Sequence, residues 1–357
     1  MAGQRKKDLA TKSTKFTKWD SDFWILYSSC DAVISGDNGE AERVRVDRSR
    51  PPRRTRPSRE WGDGVWIWNV WLDDACMKTR WIVLFLFFLG GRSQAEMPVR
   101  LSLAPVSGMT RADLYHFKTV RPAKAVLVLC PGCNGNGEGL VTDPVWQEFA
   151  NKRDLGLVGL SFASDLKDIH NGKGYYYAGN GSGKLLLDGI HKLFNRELPF
   201  LLYGFSGGAH FTARFVEWQP ERVIAWCAYS AGWWDEPKSD PIMPPGIVAC
   251  GESDERLGAS LIYFKQGRAA GKPWLWIGIP NNGHWPDKRV DSFVRDYFEA
   301  MLGKPERPDP ARTGLWLDID KRAVAEAYVI RQYPSLSGWL PDAGLFEVWR
   351  ALNDEQD

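Results

Sequence analysis

A chain of 357 residues with 44% hydrophobic and 25% charged residues describes an ordinary globular protein of one large or two ordinary domains. Its net charge of +2 excludes an overall electrostatic pull toward a polyanion. The 18 tryptophans exceed what a core of this size needs, so some are expected on a binding surface.

The first 95 residues differ from the rest. Residues 1–76 show no clear hydrophobic period, and Arg43, Arg45, Arg48, Arg50, Arg53, Arg54, Arg56 and Arg59 alternate with Pro51, Pro52 and Pro57. Clustered arginine suits phosphate. The next segment of the chain argues against a nucleic-acid arm. Residues 77–95 open with Met77-Lys78-Thr79-Arg80, continue through nine apolar residues, Trp81 to Leu89, and end in Ser93-Gln94-Ala95. A basic start, a short apolar run and small residues before a cut make a secretory signal. Nine residues fall short of the ~20 a membrane helix needs, so no stable membrane anchor is expected. A nucleic-acid arm ahead of an export signal has no physical purpose. Residues 1–76 therefore read as a disordered extension, or as upstream sequence translated from too early a start. Translation is then expected to begin at Met77, giving a secreted or periplasmic mature chain from about Glu96.

From residue 96 onward strand-like and helix-like segments alternate, which predicts an α/β fold with a mostly parallel central sheet and helices on both faces. Leu114 to Val120 reads as an early strand. Ala125 to Cys130 is a continuous apolar run, the mark of a strand buried on both faces. Val145 to Arg153 suits a helix, and Leu155 to Phe162 the next strand. A Gly- and Tyr-rich loop, 171–180, precedes a helix that Ser182 is expected to cap. Phe200 to Tyr203, Val223 to Ala228, Gly246 to Cys250 and Trp274 to Ile279 read as strands. Glu255 to Ala270 and Arg289 to Leu302 read as helices. Residues 96–302 thus form one domain. Residues 303–357, which open with Pro305, Pro308 and Pro310, read as a C-terminal extension packed back on it, with a helix near Ala343 to Leu352.

One stretch organises this pattern. The apolar strand ending at Tyr203 runs into Gly204-Phe205-Ser206-Gly207-Gly208, and helical spacing continues from Ala209 to Trp218. Strand, Gly-x-Ser-x-Gly and helix together form a nucleophile elbow, with serine at a strained apex. Gly204 and Gly208 let strand and helix crowd where a Cβ would clash. A serine hydroxyl needs a base to take its proton and a carboxylate to hold that base, in the chain order Ser, Asp/Glu, His. Of five histidines, His116, His170 and His191 precede the elbow and His210 sits on its helix. His284, beyond the last strand, is the expected base. Asp254, after the strand ending at Cys250, is the expected acid. Glu252 competes with it, Asp235 and Asp240 are weaker alternatives, and a helix cap is the weaker, purely structural role for Asp254. The oxyanion hole needs two N–H donors: Gly207, and one from Pro131 to Gly137, Cys133 being favoured over Asn134. Trp233, Trp234, Tyr176 with its neighbours Tyr175 and Tyr177, and Trp285 are candidate substrate contacts.

Residues 114–302 resemble the α/β-hydrolase superfamily. Pro131-Gly132-Cys133 is similar to the His-Gly-Cys turn of secreted polyhydroxybutyrate depolymerase and feruloyl-esterase-like enzymes. Gly283-His284-Trp285-Pro286 is similar to their Gly-His-x-Trp-Pro motif, one residue shorter. The resemblance implies a secreted serine esterase acting on bulky or polymeric esters, with Ser206, Asp254 and His284 as triad and the Cys133 N–H in the oxyanion hole. A serine peptidase of the prolyl-oligopeptidase kind shares the fold and triad order, but no propeller domain precedes the catalytic region. A non-catalytic binding protein on the same scaffold would need none of the three residues. Cys130 and Cys133 flank a Pro-Gly turn and would either close a small ring or stay reduced, whereas Cys227 and Cys250 read as small buried hydrophobes. A single C-x₂-C is poor grounds for a metal, and no phosphate-cradling glycine motif is present, so no cofactor or metal is expected.

Overall fold

The computed structural model describes the backbone of residues 26–28, 31–35 and 41–44, and residues 97–354 apart from 107, 239–242 and 305–306. The chain divides into two compact units, Met1–Gly90 and Gly91–Asp357. In the first, β1 (Leu26–Ser28), β2 (Asp31–Ser35) and β3 (Ala41–Val44) pair antiparallel in chain order. The signal-like segment 77–95 and the arginines beyond Val44 lie outside the described residues, as does Asp240 in the second unit.

The second unit is built on one eight-stranded sheet. Its strands are β4 (Val99–Ser102), β5 (Met109–Phe117), β6 (Ala125–Cys130), β7 (Leu155–Ser164), β8 (Phe200–Phe205), β9 (Val223–Tyr229), β10 (Gly246–Gly251) and β11 (Trp274–Ile279). Across the sheet they lie in the order β4-β5-β7-β6-β8-β9-β10-β11. Only β4 and β5 run antiparallel to their neighbours; every pairing from β7 to β11 is parallel. Every residue of β6, β7, β10 and β11 is buried, as expected for apolar runs covered by helices on both faces. This topology, with a nucleophile-elbow turn after the fifth strand, is the α/β-hydrolase fold. Among the described residues no helix is long and apolar enough to cross a membrane.

The covering helices are α1 (Glu138–Val141), α2 (Pro144–Arg153), α3 (Leu166–His170), α4 (Ser182–Phe194), α5 (Gly207–Trp218), α6 (Leu257–Ala269) and α7 (Lys288–Leu302). Their ends follow local chemistry. Asp143 caps α2 by accepting from the Val145 N–H, with Pro144 in the first turn, and Asp287 caps α7 by accepting from the Arg289 N–H. Along α7, Val290, Phe293, Val294, Tyr297, Phe298 and Met301 are buried at helical spacing, so one face packs on the sheet. Ser182 does not cap α4. Gly181 occupies that position, and the Ser182 hydroxyl instead donates to the Tyr175 carbonyl at 2.9 Å, tying the helix to the preceding loop.

The C-terminal segment adds β12 (Leu315–Asp318), β13 (Ala323–Val324), α8 (Ala327–Gln332), β14 (Ser337–Leu340) and α9 (Phe346–Asn353). Its strands form a separate antiparallel sheet in the order β13-β12-β14. Strands of four, two and four residues are too short to show an alternating pattern, which is why the sequence did not announce them. The segment is pinned to the edge of the main sheet. Trp349 Nε1 donates to the Trp276 carbonyl and the Gly278 N–H donates to Asn353 Oδ1, both at 2.8 Å. The buried Arg268 guanidinium donates to the Ser337 carbonyl at 2.7 Å and lies over the Trp316 ring. Two outward backbone groups of edge strand β11, the Trp276 carbonyl and the Gly278 N–H, are thereby occupied.

Candidate active site

Ser206 stands between β8 and α5 with φ 52° and ψ −113°, a conformation a non-glycine residue adopts only where its surroundings impose it. The surroundings do so through contact. A Cβ on Gly208 would run into the Cys130 carbonyl, and one on Gly204 into the Gly208 carbonyl. Strand and helix can meet this closely only with glycine at both positions. The Ser206 N–H donates to the Tyr229 carbonyl at 2.8 Å, fixing the turn to the neighbouring strand.

His284, in the loop between β11 and α7, places Nε2 2.9 Å from Ser206 Oγ and Nδ1 2.7 Å from Asp254 Oδ2. Because Nδ1 faces a carboxylate, it carries the ring proton, leaving Nε2 to accept from the serine hydroxyl. Its ring stacks on Phe205, centroids 5.0 Å apart. The Asp254 side chain is fully buried, and its second oxygen, Oδ1, accepts from the Arg256 N–H at 3.1 Å and the Arg256 guanidinium at 3.0 Å. Burial pushes the carboxyl up, but hydrogen bonds from His284, Arg256 and Ser230 outweigh it and hold the group below its usual range. Asp254 thus uses one oxygen for the local turn and the other for the imidazole. It is not the cap of α6, where Arg256 occupies that position. The competing carboxylates are engaged elsewhere: Glu252 lies 3.9 Å from Arg322, and Asp235 takes both Arg214 Nε and Nη2 at 2.6 and 2.8 Å.

Gly207 and Cys133 come together beside the serine. A Cβ on Gly207 would sit 2.6 Å from Cys133 Cα and 2.7 Å from both Cys133 N and the Tyr176 hydroxyl. The Asn134 N–H, the alternative donor, is already given to the Tyr175 hydroxyl at 3.1 Å. Cys130, Cys133, Cys227 and Cys250 are free thiols, only Cys133 being exposed, so no ring closes the loop. Burial pushes the Cys130 thiol up to about 12, which makes it an inert core residue.

Of the aromatic candidates, Trp233, Trp234 and Tyr176 pack against protein, and Trp233 and Trp234, each half-buried, also line a cavity with Arg214, Asp235 and Tyr263. Trp233 lies against Tyr176, His170 and His210, at centroid distances of 5.7, 5.7 and 4.1 Å. Trp234 stacks on Tyr263 at 4.3 Å and donates to Ser260 Oγ. Tyr176 is buried with its ring on His210 at 4.5 Å, although its hydroxyl reaches the Cys133 loop. Burial, with Tyr175 and Cys133 alongside, raises its phenol above the usual range. Trp285 alone among them is exposed, at 72%, while its carbonyl is held by the Tyr229 hydroxyl at 2.8 Å.

The chain is similar to several solved structures, each at low identity. Solved structures similar to it include the fluorophosphonate-binding serine hydrolase FphF of Staphylococcus aureus, 15% identical over 58% of this chain and 99% of that one, with a TM-score of 0.42. Others are the poly(3-hydroxybutyrate) depolymerase LpqC of Bordetella parapertussis (16%, 60% and 92%, 0.43) and a ferulic acid esterase (14%, 57% and 96%, 0.43). No protein-family model matches the chain. Among curated proteins, the outer membrane protein assembly factor BamC of Psychromonas ingrahamii is 28% identical over 105 residues, 29% of this chain; the chain spans 23% of that relative's length.

Proposed function

We propose that this protein is an exported serine hydrolase that cleaves carboxylic esters through an acyl-serine intermediate. The single observation that carries this reading is the unbroken hydrogen-bonded line from Ser206 Oγ through His284 to the buried carboxylate of Asp254. In it, Ser206 Oγ attacks the ester carbonyl while His284 Nε2 takes its proton. Asp254 holds the imidazole in the productive tautomer and stabilises the imidazolium that forms. The Gly207 and Cys133 N–H groups receive the tetrahedral oxygen. Collapse expels the alcohol with the proton from Nε2, and water then repeats the sequence in reverse to free the acid. Trp285, open beside His284, is the residue that would contact a bulky group on the substrate.

The test is a burst experiment with p-nitrophenyl acetate together with labelling by a fluorophosphonate. The wild-type protein should show both, and Ser206→Ala neither, with turnover down by about 10³-fold or more. Labelling that persists in Ser206→Ala would move the nucleophile elsewhere. Export through residues 77–95 is tested by intact mass of the native protein, which should begin near Glu96; peptides from residues 1–76 would overturn it.

A further inference from the structure

We infer that Arg111, on β5, is a positioning residue that polarises the oxyanion donor at Cys133 through two consecutive peptide groups; this rests on the proposed acyl-transfer chemistry. Arg111 Nη2 donates to the carbonyls of Asn134 and Gly135, each at 2.7 Å, and Nε donates to the Ser161 carbonyl at 3.1 Å. The Asn134 carbonyl belongs to the same peptide group as the Gly135 N–H, and that N–H donates to the Gly132 carbonyl at 2.9 Å. The Gly132 carbonyl in turn shares its peptide group with the Cys133 N–H. A full positive charge therefore stands at one end of a chain of aligned amides, and the N–H beside Gly207 stands at the other.

Two physical effects arise from that line. Each hydrogen bond withdraws electron density from the amide it meets, so the last N–H becomes a stronger donor, by roughly 10–30% per bond in condensed-phase estimates. The guanidinium also fixes the loop, because its fork meets carbonyls rather than a carboxylate that could draw it away. The backbone is built for this. Between Met109 and Arg111 the register of β5 against β7 shifts, leaving Thr110 without a partner, and a bulge of this kind re-aims the side chain beyond it. Asn134 is held at φ 54° by its own pair of bonds to Ser164: Nδ2 donates to the carbonyl and Oδ1 accepts from the N–H, both at 3.0 Å. The loop beside the Cys133 amide is thus held at Asn134 by Ser164 and Tyr175 and at Gly135 by Gly132.

The experiment compares wild type, Arg111→Lys and Arg111→Ala with p-nitrophenyl esters, and follows the infrared carbonyl stretch of a stabilised acyl-enzyme. Loss of an oxyanion donor costs about 10²–10³-fold in kcat, and a weakened donor less, so Arg111→Ala should lose about 10-fold in kcat with KM nearly unchanged. Free guanidinium should restore part of that loss, Lys should recover less than half of it, and the carbonyl stretch should rise in both variants. A residue that only supported the fold would give neither the rescue nor the spectral shift. Unchanged kcat, a change confined to KM, or an unmoved stretch overturns the inference. Should Arg111→Ala not fold, the stretch in Arg111→Lys decides alone. A wild-type protein with no Ser206-dependent burst would instead strike at the hydrolase reading itself.

Discussion

His284 Nε2 stands 2.9 Å from Ser206 Oγ, and 78 residues of chain separate them. The contact exists because β8 and β11 run in the same direction within one sheet, so the loops leaving their carboxyl ends meet at one rim. A parallel sheet gathers the carboxyl ends of its strands along one rim, and chemistry drawn from distant segments collects at that rim.

Asp254→Asn should cut kcat by on the order of 10³–10⁴-fold with little change in KM, since an amide cannot hold the imidazole in the tautomer that accepts the serine proton. Glu252→Gln should be nearly silent in the same assay, because Glu252 is paired with Arg322 and not with His284. The reverse pattern in ester hydrolysis would reassign the acid.

Glycine substitutions should divide sharply. Gly208→Ala would force a methyl into the Cys130 carbonyl and should abolish soluble, active protein. Gly139→Ala, on α1, meets nothing within 4 Å and should keep full activity while raising stability by roughly 0.4–1 kcal/mol through the unfolded chain. Soluble yield and ester hydrolysis check the first variant, and the urea midpoint against wild type checks the second.

Trp285→Ala should leave hydrolysis of acetyl esters almost unchanged, because the loop backbone is held by the Tyr229 hydroxyl through the residue 285 carbonyl. For an ester with an aromatic ring, KM should rise about 3–10-fold, the scale of one lost ring stack. An equal effect on both substrates would mean that Trp285 serves the loop rather than the ligand.

Stability should fall on acidification below neutrality, for a reason located at His116. Burial, aided by Lys118, lowers this imidazole to about 4, and its Nε2 is buried without a partner. The unfolded chain binds the proton at about 6.5 and the folded chain only near 4. The contribution is therefore intact above pH 6.5, is lost progressively between about 6.5 and 4, and changes no further below that. The total is on the order of 3 kcal/mol. His210, buried between Tyr176 and Trp233 with Arg214 close by, is also lowered by burial and adds in the same direction. Urea midpoints at pH 7 and pH 5 should differ for wild type and differ less for His116→Phe, in which His210 keeps its share of the effect.

Several features are legible from residues alone because they rest on local chemistry or chain order. Gly204 to Gly208 between an apolar strand and a helical pattern identifies the elbow, since few other sequences relieve that turn. His284 is given by order, being the histidine beyond the last strand. The acid is less legible. Glu252 and Asp254 are two positions apart in one loop, and either could face the imidazole until the turn at Asp254, closed by the Arg256 N–H, turns one oxygen toward it. The tryptophans are no more legible: residue type says that Trp233 and Trp234 bury area, not whether protein or substrate covers the half of each ring left open.

Arg111 left no trace in the sequence. Its three acceptors are backbone carbonyls 23, 24 and 50 residues away, and a carbonyl is the same whichever side chain it belongs to. What the amino-acid order determined by itself was the run of parallel strands, the serine at the apex of the elbow, and the order in which its partners would come. What only the folded chain decided was which oxygen, which N–H and which ring face remained unused, because that depends on the neighbours each group meets after the sheet has closed.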